Sequence, residues 1–82
     1  MKSEAQEYLD RITDAETHYE KGRIAAEMYC WLHHVSPASV KAEIERSARE
    51  DAENPDVIGI EDRKEMDRGG LAWCVEQLEK AQ

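Results

Sequence analysis

The pattern closest to a chemical site is Cys30, His33 and His34, with Glu27 one turn earlier. Positions i, i+3 and i+4 share a helix face, and thiolate and imidazole are ligands that suit zinc. A tetrahedral site needs four donors, however, and these residues sit in the most apolar part of the chain. The third histidine, His18, lies about four turns away. The Glu-x-x-His pairing of di-iron bundles is missing, because Ala15, Cys30 and Trp31 stand three before the histidines. His33 and His34 therefore read as a helix-face and helix-end pair, and no metal or cofactor is expected.

Other chemistries find still less support. A calcium-loop register over 54–65 puts Gly59 at position six and Glu65 at position twelve, yet Ile58 occupies a ligand position. Ser3, Ser36, Ser39 and Ser47 sit at or near helix starts or on a polar face, where capping and solvation account for them. There is no GxSxG elbow, P-loop or GxGxxG motif. Cys30 and Cys74 stand 44 positions apart in apolar patterns and form no CxxC pair, so each reads as a buried reduced thiol. These residue patterns predict a protein that is not an enzyme.

One segment departs from an ordinary solvated surface. From Glu50 to Asp67, the carboxylates of Glu50, Asp51, Glu53, Asp56, Glu61, Asp62, Glu65 and Asp67 oppose only Arg63 and Lys64, so this run carries -6 of a net charge of -8. A solubilising belt is one reading. The other is a surface aimed at basic groups of a partner, where complementary potential speeds association and sets register.

The elements that would position these residues are helical. The segment 3–35 has no Pro and one Gly, and opens with Ser3 and Gln6 in capping-box spacing. Ala5, Tyr8, Ile12, Ala15, Tyr19, Gly22, Ala26, Tyr29 and His33 recur at alternating three- and four-residue steps, a heptad seam over four repeats. The spacing predicts one long N-terminal helix, about 50 Å at 1.5 Å per residue, in a domain only about 30 Å across. Its protruding end must be covered, either by a second copy of the chain packed on Tyr8, Ile12, Ala15 and Tyr19 or by a break before Thr13. We favour the homodimer.

Ser36 and Pro37 announce a second helix over 37–53 with a narrow apolar stripe of Val40, Ile44 and Ala48, stopped by Asn54-Pro55-Asp56. Val57-Ile58-Gly59-Ile60 predicts a short apolar clasp. The last segment divides at Gly69-Gly70 into helices over 60–68 and 70–80, because each Gly in a helix costs about 1 kcal/mol relative to Ala. Leu71, Cys74, Val75 and Leu78 form its docking stripe, and Leu32 and Leu78 are expected in the core. Trp73 falls off the stripe, so it is either covered by a neighbour or free to anchor a partner.

All 82 residues thus form one domain, an all-α fold of three to four helices. The charge excludes ordinary phosphate-backbone binding and opposes attachment to an anionic membrane. No apolar run approaches the roughly 18 residues of a membrane span, and Met1 to Ala5 do not lead into the apolar stretch of a secretory signal, which predicts a cytoplasmic protein. Small size, acidity, helical build and missing catalytic motifs resemble, in kind only, phage and mobile-element inhibitors, including anti-restriction and anti-CRISPR proteins that fill a nucleic-acid channel with carboxylates. That resemblance implies a nucleic-acid mimic directed at a basic, nucleic-acid-binding protein. The alternatives are an oligomeric adaptor working through the aromatic seam and, behind it, a helical metal-binding protein.

Overall fold

The computed structural model describes residues 2–54, 56 and 58–81. Four helices follow one another: α1 over Glu4–Asp14, α2 over His18–His33, α3 over Pro37–Ala52 and α4 over Ile60–Lys80, with no strand among the described residues. Caps set several boundaries. The hydroxyls of Ser3 and Ser36 accept from the backbone N–H of Gln6 and Ser39 at 3.1 and 3.2 Å, and Pro37 fills the first position of α3, as the sequence predicts.

The long N-terminal helix is not formed. Ala15 turns extended after Asp14, and Thr17 caps α2, its hydroxyl accepting from the N–H of Glu20 at 3.1 Å. The break thus falls after Thr13, whose hydroxyl donates to the Leu9 carbonyl at 2.9 Å instead of capping a new helix. Folding α1 back lets the chain cover its own seam. Tyr8 stacks on Trp31 with ring centroids 5.5 Å apart, Arg11 pairs with Glu27 at 2.9 Å, and the Lys21 ammonium donates to the Ile12 carbonyl at 2.7 Å. The last contact adds a second donor to a carbonyl that the Ala15 N–H already approaches at 3.3 Å, and it ties the C-terminal end of α1 to α2. These contacts run in opposite order along the two helices, so α1 and α2 are antiparallel.

Nor does the glycine pair divide the last helix, since α4 runs unbroken through Gly69 and Gly70. Both glycines are buried where α2 crosses α4. A methyl group on Gly22 would overlap the Met66 carbonyl oxygen, and one on Gly69 would overlap that of Tyr19. One on Gly70 would lie 2.8 Å from Cδ1 of Ile44. The two backbones are in contact, and the dispersion gained there offsets the poor helix propensity of glycine.

His18 meets Asp62, Gly22 meets Met66 and Ala26 meets Gly70, in the same order on both helices, so α2 and α4 are parallel. Asp51 meets Arg63 and Ile44 meets Gly70, so α3 is antiparallel to α4. The buried core is small: Ala26, Val40 and Cys74, with Cys30, Val35, Ile44 and Trp73 packed against it. Leu78 is half-buried, but Leu32 is 53% exposed, against expectation. Gly22, Ala26 and Cys30 turn one face of α2 to α4, and Leu32 lies about 200° around the helix from Cys30. Ile58 is 96% exposed and forms no clasp, while Val57 and Pro55 lie outside the described residues.

Candidate protein-binding surfaces

Because α2 and α4 are parallel, their N-termini share one end of the molecule with the C-termini of α1 and α3. Asp14, Glu16 and Glu20 from the first junction therefore join Glu50, Glu53, Asp56, Glu61 and Asp62 from the α3–α4 region, all of them exposed. The His18 imidazole, 3.5 Å from the Asp62 carboxylate, spans the two groups. Glu20, Glu61 and Asp62 stand in the first turns of their helices, where the macrodipole favours negative charge. The acidic run 50–67 is visible in the sequence. Its union with 14–20 is not, because it depends on the parallel packing of α2 and α4.

The eight carboxylates of that run have different fates. Glu50 pairs with Arg46 at 2.6 Å, Glu61 with Lys64 at 3.6 Å and Glu65 with Arg68 at 3.2 Å, all within single helices. Surface pairs of this sort are worth about 0–1 kcal/mol, so a partner's cation can replace the internal one cheaply. Glu53 and Asp56 make no ion pair among the described residues.

Asp51 and Asp67 correct the expectation of an outward-facing belt. The Asp51 side chain is 13% exposed, and its Oδ2 lies 3.1 Å from the Arg63 guanidinium without a hydrogen bond. Asp67 is half-buried, and burial, with the nearby Asp51 charge, pushes its carboxyl above the ordinary aspartate range against the pull of Arg63. The cause is helical periodicity, which places Arg63, Asp67, Gly70 and Cys74 on one face of α4.

Trp73, a candidate partner anchor, is half-buried and packs against the core. Its outer edge borders a polar cleft with Arg11, Arg23 and Gln77, where Arg23 is held by Glu76 and Arg11 by Glu27. Among the candidate seam residues, Tyr8, Ile12 and Ala15 are half-buried and Tyr19 is 37% exposed. The His33 ring lies on Tyr29 with centroids 4.3 Å apart, and His34 closes α2 in the left-handed conformation. Burial raises the Cys30 and Cys74 thiols above their ordinary value, which keeps them protonated and poorly nucleophilic. Among the described residues no three His, Cys, Asp or Glu side chains gather as metal ligands would.

Sequence reasoning missed one further surface, an apolar trough of about 270 Å³ between α2 and α3, floored by α4. Gly22, Ala25, Ala26 and Tyr29 line one side, Val40, Glu43, Ile44 and Ser47 the other, and Met66, Asp67 and Gly70 the floor. The small residues spaced i, i+3 and i+4 on α2 were a usable signal, hidden inside the longer heptad pattern. Comparison of the chain with protein-family models, curated proteins and solved structures gives no match.

Proposed function

We propose that the protein is a non-enzymatic acidic binding module that acts in the cytoplasm by occupying a basic site on a partner protein, as an inhibitor or nucleic-acid mimic of the kind mobile elements use against host defences. The observation that carries this reading is the union of two sequence-distant acidic runs, 14–20 and 50–62, at one end of a small helical scaffold. Carboxylates held on helix ends and short junctions present a fixed array of negative charge, and at -8 the whole molecule steers toward a cationic target. An oligomeric adaptor using Tyr8, Ile12, Ala15 and Tyr19 has less support, because Tyr8 is stacked on Trp31 of its own chain.

The test begins with a pull-down from the native host and identification of the retained protein. Binding of the purified pair is then followed by surface plasmon resonance at several ionic strengths. Glu53→Gln, Glu61→Gln and Asp62→Asn together should slow association about tenfold and flatten its salt dependence, because long-range steering falls with charge. The same charge removed at the opposite end, with Glu4, Glu7 and Glu79 changed to Gln, should do much less. Equal effects of the two sets would show that only net charge matters.

A further inference from the structure

We propose that the trough between α2 and α3 seats one amphipathic helix of the partner, with an apolar stripe flanked by Lys or Arg. The inference rests on the reading of the protein as a binder of basic sites, and it adds where the partner's contacting element lies and what that element is.

The shape argues for a helix. On α2 the lining follows i, i+3, i+4, i+7 from Gly22 to Tyr29, and on α3 the same spacing runs from Val40 to Ser47. A trough edged in this way runs along the helix axes for about two turns, or 10 Å, which matches the apolar stripe of a third helix laid between them. It is open because its floor has few side chains to fill it. Gly22 lets α2 sink onto the backbone of α4, while α3 leans on α4 through Ile44 and Gly70. Tyr29, at one wall, remains 42% exposed.

The charge argues for a basic occupant. The only ionisable carboxylates on the lining are Glu43 and Asp67, and no Lys, Arg or His lines it. Glu43 is held from outside by Arg46 at 2.6 Å. Asp67 shares the Arg63 guanidinium with the largely buried Asp51, so two carboxylates face one cation there among the described residues. A Lys or Arg beside the occupant's apolar stripe would supply the missing cation. A second copy of this chain fits poorly, since its amphipathic α1 carries Glu4, Glu7, Asp10 and Asp14 against Arg11, and each copy has a net charge of -8.

The experiment is a ¹⁵N–¹H NMR titration of the whole chain with an amphipathic Leu/Lys helical peptide of about four turns. Controls are a Leu/Glu peptide of the same pattern and unpatterned polylysine. The Leu/Lys peptide should shift the amides of Gly22, Ala25, Ser47 and Gly70, and Ser47→Trp, which fills the trough, should raise its Kd at least about tenfold. Should Ser47→Trp disturb folding by circular dichroism, Glu43→Lys on the exposed rim should weaken the same peptide and leave the helical signal intact. Shifts confined to the acidic end, with either variant binding as the wild type does, would overturn the trough while leaving the basic-partner reading standing. Equal binding of the Leu/Glu peptide would overturn it as well, as would concentration-dependent shifts at the trough without peptide, which would make a second copy the occupant. Failure of both cationic peptides to bind anywhere would count against both readings.

Discussion

Asp67 is the side chain whose protonation the fold alters in the most informative way. Burial raises its folded-state pKa above the ordinary 3.8, with Asp51 as the second cause. The folded protein therefore holds this proton more tightly than the unfolded chain does. The corresponding stability is present at low pH and is lost as pH rises from the ordinary aspartate range through the raised value. Asp67→Asn should consequently stabilise the protein at neutral pH and flatten the pH dependence of urea unfolding above the ordinary aspartate range. Asp10 and Glu43, lowered by Lys2 and Arg46, act with the opposite sign but lie at the surface, where solvent screens their ion pairs. A less stable Asp67→Asn variant at neutral pH would show that its pairing with Arg63 outweighs its burial. Side-chain packing gives a second test. Leu32→Ala should change stability by under about 0.5 kcal/mol, since the side chain faces water, whereas Leu78→Ala should cost about 1–2 kcal/mol in urea unfolding. The reverse order would place the core on the other side of α2.

At the scale of elements, the decisive contact is the glycine crossing of α2 and α4. Intrinsic propensity alone says that Gly22→Ala and Gly69→Ala should each stabilise a helix by about 1 kcal/mol. The methyl group would instead overlap a carbonyl of the facing helix at each site, so each change should cost about 1–3 kcal/mol by forcing the helices apart. Thermal unfolding of the two variants decides the sign, and a rise in Tm for either would mean that the backbones are not in contact. The α1–α2 junction gives a milder case. Thr17→Ala removes the hydroxyl that accepts from Glu20 and should cost about 1 kcal/mol without lengthening α1 into α2. An increase in helical circular dichroism would reveal a chain poised to form the single long helix.

For the whole molecule, charge distribution is the governing property. Two acidic groups share one end, and the local ion pairs leave a net charge of -8. Their mutual repulsion acts through solvent over about 10 Å at 0.1 M salt and about 30 Å at 0.01 M. Stability should therefore rise as NaCl is added over that range, and the rise should be smaller in the Glu53, Glu61 and Asp62 variant used for the binding test. Thermal melts at a series of salt concentrations measure both. A fall in Tm with salt would show that attractive pairs such as Arg11–Glu27 and Arg23–Glu76 outweigh the repulsion.

Local preference and composition already determine much of this protein. The scarcity of strand formers, the caps at Ser3 and Ser36, Pro37 at a helix start and the acidic run from Glu50 to Asp67 are legible without coordinates, because each depends on neighbours within a turn or on simple counting. The heptad seam favours the longer helix, and the Thr17 cap that starts α2 enters only with the structure. Tertiary structure decided what depends on distant partners. Gly69-Gly70 breaks helices in isolation, yet continues one here because Gly22 and the Tyr19 backbone occupy the space a side chain would need. The same crossing aligns α2 with α4, brings Asp14, Glu16 and Glu20 to the acidic end and leaves Leu32 in solvent, while the packing of α3 on α4 sets Asp51 against Arg63. A sequence pattern specifies which faces are apolar, small or charged, but the choice among faces that could bury one another is made by contact energies between segments some 44 residues apart, as in the pairing of Gly22 with Met66 and Ala26 with Gly70.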